Sequence, residues 1–208
     1  MAALLPIHRQ TPQPRRLQRA ADAMQAGQVV AYPTDSSYAL GCTLGDRAAK
    51  ERIQQVRGLK ADHLFTLICR DLSEIANYAK VENRNFRLLK AATPGAYTFI
   101  LPATKNVPNW LAQPKRKTIG IRVPDDQVAR GLADALGTSF MSVSAEWRNG
   151  NGPIASADDV RAALGSGVDL ILDGGPAHIE GTTIVDLTGE VPRIERNGIG
   201  PVEPLGLD

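Results

Sequence analysis

Residues 29–42 constrain the fold more than any other stretch of the chain: Val-Val-Ala-Tyr-Pro-Thr-Asp-Ser-Ser-Tyr-Ala-Leu-Gly-Cys. The segment opens as an apolar, β-prone run and breaks at Pro33. Four hydroxyl groups and a carboxylate follow at once, on Thr34, Asp35, Ser36, Ser37 and Tyr38, before the chain closes on Gly41. A buried strand that ends this abruptly leaves polar side chains at its C-terminal end, where α/β sheets collect ligands. The same residue types also serve an ordinary Ser-rich turn.

The 208 residues suit one large domain, with two small ones as the alternative. No apolar stretch approaches the ~20 residues that span a bilayer, so no membrane partner is expected. The N-terminal apolar run is too short, and lacks the preceding basic region, for a secretory signal; a cytoplasmic location is expected. Cys42 and Cys69 lack CxxC spacing, and His8, His63 and His178 are scattered, so two reduced, buried thiols and no protein metal cage are expected. The net charge of +2 hides an asymmetry: residues 47–122 hold 15 Lys/Arg against 5 Asp/Glu, and the remainder 9 against 17. A basic middle third suits phosphates, on a nucleotide or a nucleic acid, or else forms solvated helix faces.

Periodicity predicts helices over residues 15–25, 46–57, 83–92 and 157–164, a capping-box helix start at Asp71, and a helix from Pro124 to Leu136 capped by Gly137. Strands are predicted over 28–32, 63–69, 96–101, 118–123, 139–144 and 169–172, with a final hairpin of 182–187 and 192–196. Adjacent strands occur among the βα alternations, which predicts a mixed sheet with helices packed on it. Neither GxxxxGK[ST] nor GxGxxG is present; Gly150-Asn151-Gly152 and Gly165-Ser166-Gly167 read as turns. A bound nucleotide must therefore be held by hydroxyls and cations gathered from several strands.

Residues 32–42 resemble the "PTDTVYGLGC" signature of the YrdC-like family, the threonylcarbamoyl-adenylate synthases and their relatives. Further motifs follow in family order: residues 94–101 resemble "PGPxT", 118–124 "xxxRxP", Ser142-Val143-Ser144-Ala145 stands where "TSAN" occurs, 182–186 resemble "STVVD", and Arg196-Asn197-Gly198 "RxG". The resemblance implies one twisted mixed α/β domain over residues 15–200, with an N-terminal extension (1–14) and a C-terminal tail (201–208). It implies synthesis of threonylcarbamoyl-AMP from L-threonine, bicarbonate and ATP with Mg²⁺, the nucleotide as substrate and no permanent cofactor, in the service of tRNA modification. Carried over by position, Thr34, Arg57 and Arg122 are the expected catalytic residues. Tyr38, Lys60, Thr98, Thr118, Ser142, Ser144, Thr182 and Arg196 are the expected substrate and nucleotide contacts. The basic cleft also implies tRNA or double-stranded RNA as a partner, by shape and phosphate rather than base stacking, since aromatic content is only 5%.

Two departures from the synthase pattern set the expectation for activity. The Lys-x-Arg motif is replaced by Arg57-Gly58-Leu59, with Lys60 one residue on, and the asparagine of "SAN" is Glu146. A guanidinium does not replace an ammonium freely, and a carboxylate repels phosphates unless it holds a metal or faces away. These features resemble the YciO branch. They imply nucleotide binding with weak or altered synthase activity, leaving an RNA-binding protein and a nucleotide-binding regulator without turnover as alternatives. Arg57, Lys60, Lys115, Arg116 and Arg122 are expected to share one concave basic face.

Overall fold

The computed structural model describes residues 2–148 and 152–207. Ten strands form one sheet: β1 (Ala3–Pro6), β2 (Val30–Tyr32), β3 (Ala39–Thr43), β4 (Thr66–Ile68), β5 (Tyr97–Pro102), β6 (Thr118–Arg122), β7 (Phe140–Ser144), β8 (Leu170–Asp173), β9 (Thr183–Asp186) and β10 (Arg193–Arg196). Their order is β1-β8-β2-β3-β7-β4-β6-β5-β9-β10. The sheet is mixed: β1–β8, β8–β2, β4–β6 and β5–β9 are parallel and the remaining pairs antiparallel. Six helices pack on it: α1 (Pro14–Gln25), α2 (Arg47–Arg57), α3 (Leu72–Tyr78), α4 (Asn83–Ala92), α5 (Gln127–Leu136) and α6 (Ala157–Leu164).

Local chemistry places the helix ends where the sequence marks them. Asp46 caps α2 by accepting from Ala49 N at 2.9 Å, and Gly58 closes it in the left-handed conformation. Asp126 accepts from Val128 N and Ala129 N to start α5, and Gly137 ends it.

The two faces of the sheet are covered unequally. On one face α2, α3, α4 and α6 bury Ile53, Ile75, Leu89 and Val160 against strand residues from Ala31 to Val185. On the other face α1 and α5 bury Leu17, Met24, Val128 and Leu132 against Tyr32, Ile68, Phe140 and Leu172; no residue of β5, β6 or β9 joins this second cluster. The alternation along β5 shows the result. Tyr97, Phe99 and Leu101 are buried on the helix-covered side, while Thr98, Ile100 and Pro102 stay half-exposed on the other. Half of one sheet face is thus left open.

The connection from β8 to β9 shapes that open face. The two strands are parallel and lie seven positions apart in the sheet. At ~4.8 Å per strand they would be about 34 Å apart in a flat sheet. The pairing registers also set Thr183 about six residues, or ~20 Å, back along the strand direction from Asp173. Residues 174–182 reach at most about 33–36 Å even when fully extended, short of the ~39 Å diagonal of a flat sheet. The sheet therefore cannot be flat, and its twist and bend bring the two ends of this connection within reach.

Two strands escape the sequence reading. β1 lies in the segment set aside as an N-terminal extension, yet it pairs with β8 and buries Leu5, while Ile7 just beyond it is also buried. Four residues ending in proline carry no period-two signal. β3 contains Gly41 and is buried along most of its length, so it does not alternate either. The C-terminal tail likewise forms a short 3-10 turn, Glu203–Leu205, with Leu205 buried in the larger core. Gly150 and Asn151 lie outside the described residues. Cys42 and Cys69 are buried and unbridged, and burial pushes each thiol up to about 12.

Two outcomes follow from this packing. Ile7→Ala should lower the unfolding free energy by about 2–5 kcal/mol in urea titration; a loss under ~0.5 kcal/mol would make the N-terminal segment peripheral. Both cysteines should resist iodoacetamide in the native protein at pH ~8 and react once urea is added; prompt labelling of either thiol would contradict its burial.

Candidate functional site

The open face carries a narrow cleft of about 40 Å³, walled by Thr34, Thr98, Arg122, Ser142, Ser144 and Thr182 among others. These six come from the loop after β2, from β5, β6 and β7, and from the residue before β9. All six were expected from the sequence. Their hydroxyls are already ordered by the protein. Thr34 Oγ1 donates to Ser37 O at 2.7 Å and meets Ser36 Oγ at 3.0 Å. Tyr32 Oη pairs with Ser142 Oγ at 2.6 Å, and Thr98 Oγ1 with Thr182 Oγ1 at 2.8 Å.

Arg122 is the cation of this cleft. Its Nη2 donates to Asp35 Oδ1, to Ser36 Oγ at 3.0 Å and to Thr34 Oγ1 at 3.4 Å. Asp35 is fixed from its other oxygen by Asp125 N at 2.7 Å. The guanidinium is thus held in one orientation by the loop that ends β2. Its Nε is buried and has no hydrogen-bond partner among the described residues. A buried, orphaned N–H on a charged group costs free energy until an acceptor reaches it.

The other expected site residues stand elsewhere. Tyr38 points to the start of the β8–β9 connection: its hydroxyl donates to Gly175 O at 2.8 Å and accepts from Gly174 N at 3.3 Å, and burial pushes it up to about 12. Arg57 does not reach the cleft. Its Nε donates to Ser144 O at 2.9 Å, its Nη1 to Glu146 O at 2.8 Å and its Nη2 to Glu146 Oε2 at 2.6 Å. Lys60 is exposed on the loop after α2, where only its carbonyl is engaged, by Gln54 Nε2. Thr118 lines an adjoining apolar slot with Leu64, Phe65, Ile100, Leu111 and Ile184, a slot that shares Thr66 and Thr98 with the cleft. Arg196 sits behind the wall, donating from Nε and Nη2 to Thr182 O at 3.1 and 2.9 Å.

The basic face expected of five cations is largely neutralised. Arg57 pairs with Glu146, Arg122 with Asp35, and Arg116 with Asp186 at 2.6 Å. Burial alone would raise the Asp186 carboxyl, but hydrogen bonds from Thr188 and Arg116 outweigh it and hold the group below its ordinary range. Lys60 and Lys115 remain as exposed cations. No group of three His, Cys, Asp or Glu side chains gathers among the described residues, and no helix is long and apolar enough to cross a membrane.

Comparison with known proteins covers the segment that holds this cleft. The family model described as "Telomere recombination" (Sua5/YciO/YrdC) matches residues 22–198. The chain belongs to the Sua5/YciO/YrdC family. It is 45% identical to YciO of Escherichia coli K12, covering 99% of this chain and 100% of that protein. The crystal structure of E. coli YciO superposes with a TM-score of 0.94 over 99% of this chain and 100% of that chain, at 44% identity. A threonylcarbamoyl-AMP synthase of Nitrosococcus oceani is 36% identical over 79% of this chain and 91% of its own length. Sua5 of P. abyssi in complex with L-threonine superposes with a TM-score of 0.89 at 26% identity, over 97% of this chain and 59% of that one.

The family motifs acquire physical roles in this fold. The signature loop carries Thr34 and the Asp35 carboxylate that orients Arg122. The Arg196-Asn197-Gly198 motif is a clasp: Arg196 holds the Thr182 carbonyl, and a side chain at Gly198 would stand 2.3 Å from Gly181 O. Sequence reasoning missed Asp35 and Thr66. Asp35 was quoted only as part of a motif, and Thr66 is a lone polar residue in an apolar run.

The Arg57–Glu146 pair yields an asymmetric expectation, because Arg57's side chain is 4% exposed and Glu146's 40%. Arg57→Ala should cost about 2–4 kcal/mol in chemical denaturation, since it also strips two carbonyls of charged donors. Glu146→Gln should cost under ~1 kcal/mol. Equal losses would show that the ion pair, not the backbone clamp, is what Arg57 contributes.

Proposed function

We propose that the cleft binds ATP with Mg²⁺ and a small amino-acid carboxylate of the L-threonine type, and that the chain performs threonylcarbamoyl-AMP-type adenylyl transfer slowly. The observation that carries this reading is Arg122, which lines a cleft of ordered hydroxyls and whose buried Nε has no hydrogen-bond partner among the described residues. A fixed guanidinium edge beside hydroxyl donors suits a carboxylate or phosphoryl oxygen. The adjoining apolar slot suits the flat, uncharged part of a nucleotide. The N. oceani synthase and the threonine-bound Sua5 structure support the same substrate classes.

In this reaction the carbamate of threonine attacks the α-phosphorus of ATP and pyrophosphate leaves. Arg122 would neutralise charge on the anions brought together, while Thr34, Ser142 and Thr182 orient their oxygens. The slow rate follows from α2. Every nitrogen of the Arg57 guanidinium is engaged, by the Ser144 and Glu146 carbonyls and the Glu146 carboxylate, and its side chain is only 4% exposed, so it is not presented to a phosphate in the cleft. Leu59 offers no charge at all. Oxyanion-type contacts are worth roughly 10²–10³ in rate each. The paired cations also weigh against structured RNA as the main partner, since phosphate-backbone binding needs unpaired Lys and Arg.

Pyrophosphate release dependent on both threonine and bicarbonate tests the proposal. The wild type should bind ATP but turn over only in trace amounts. The Arg57→Lys, Leu59→Arg, Glu146→Asn triple variant should release pyrophosphate at least about tenfold faster. A wild type as fast as an intact synthase would overturn the slow reading. A wild type that binds no ATP at millimolar concentration would overturn the nucleotide reading, and binding without any gain in the variant would point to a different reaction.

A further inference from the structure

Arg9 lies outside the residues matched by the family model and in the segment that the sequence set apart as an extension. Its guanidinium nevertheless joins three separate elements. Nε donates to Asp126 Oδ2 at 2.9 Å, Nη2 to Thr34 O at 2.5 Å and Nη1 to Pro176 O at 2.5 Å. Asp126 caps α5, Thr34 lines the cleft, and Pro176 belongs to the connection that curls the sheet. We propose that Arg9 is a positioning residue of the cleft: it fixes the Thr34 loop and the 174–182 connection relative to one another, and so sets the affinity for the carboxylate or phosphate ligand. This inference rests on the cleft being the ligand site.

The geometry makes the role specific to a guanidinium. Three acceptors lie around one planar fork, which an ammonium on a flexible stem does not reproduce. Arg9 is itself held in place. Asp126 is 5% exposed and uses Oδ1 for the first amides of α5, leaving Oδ2 for Arg9. The Thr34 carbonyl that Arg9 grips belongs to the residue whose hydroxyl meets Arg122 Nη2. A shift at that carbonyl therefore moves Thr34 Oγ1 and Asp35 together, and with them the orientation of Arg122.

A second contact couples the same elements. A side chain at Gly174 would stand 2.9 Å from Pro33 Cγ, 3.7 Å from Ile7 Cγ2 and 3.8 Å from Arg9 Cβ. The start of the connection, the proline that breaks β2 and the N-terminal segment thus close on one another with no space between. Beyond this point His178, Ile179 and Glu180 are exposed, and the chain is gripped again at Thr182 O by Arg196. The cleft lies between these two anchors.

Hydrogen–deuterium exchange and calorimetry on the full chain test the proposal with Arg9→Ala, Arg9→Lys and Leu89→Ala. Arg9→Ala should raise exchange in peptides covering residues 33–38 and 174–178 while leaving β3 and β7 protected. It should weaken binding of L-threonine and of ATP–Mg²⁺ by about ten- to a hundredfold. Arg9→Lys keeps a charge beside Asp126 and should recover melting temperature but not affinity. Leu89→Ala, which empties the helix-covered core away from the cleft lining, is destabilised by packing alone and should bind like the wild type when measured well below its melting temperature. Unchanged exchange at 33–38 in Arg9→Ala, or full recovery of affinity in Arg9→Lys, would overturn the positioning role. If the wild type binds neither ligand, the proposed function fails, and the exchange pattern alone decides whether Arg9 positions the loop.

Discussion

The connection from β8 to β9 is too short for the sheet it spans, and the rest of the site depends on that shortage. A parallel crossover usually takes a dozen or more residues and a helix. Here residues 174–182 do it alone, across seven strand positions. With no helix in the crossover, no helix among the described residues covers β6, β5 and β9 on that side. With so little chain, the sheet has to bend around the gap. The bend of the sheet and the exposure of the cleft are therefore two results of one topological fact. The polar residues exposed there, Thr98, Thr66 and Ser144, are half-buried members of strands whose alternate positions fill the opposite core.

Electrostatics then divides the cations into two kinds. Arg57 and Arg122 both come from family motifs, but their partners separate them. Arg57 is buried and tied through each of its three guanidinium nitrogens to two carbonyls and a carboxylate. Arg122 lines the hydroxyl-walled cleft and keeps an Nε without a partner among the described residues. The two departures from the synthase pattern, at Arg57 and Glu146, turn out to be one feature, since the new carboxylate is neutralised by the new guanidinium. Glu146 does not repel phosphates as an isolated charge would. The consequence is a loss of available positive charge, not a gain of negative charge.

Much of this was legible in the sequence. The helices were found because their apolar stripes and caps agree, as at Asp46 with Gly58 and Asp126 with Gly137. The residues at the cleft wall were found because the signature loop and the later Thr and Ser motifs keep family order. β1 and β3 were not found, since one is four residues long and the other is buried without alternation. The pairing of Arg57, Arg116 and Arg122 with carboxylates was also invisible. A charge count along the chain separates residues 47–122 from Asp35, Glu146 and Asp186, which the fold brings back beside them. The role of the N-terminal segment was hidden for the same reason: Arg9 and Asp126 are 117 residues apart.

The most direct measurement is a crystal structure of the protein equilibrated with ATP, Mg²⁺ and L-threonine. Ligand density is predicted in the open cleft, with a carboxylate or phosphoryl oxygen within hydrogen-bond distance of Arg122 Nε and a second oxygen on Thr34, Ser142 or Thr182, while Arg57 stays on Glu146. Well-ordered ligand bound elsewhere with Arg122 Nε still unpartnered, or an Arg57 swung from Glu146 to the phosphates, would contradict the account.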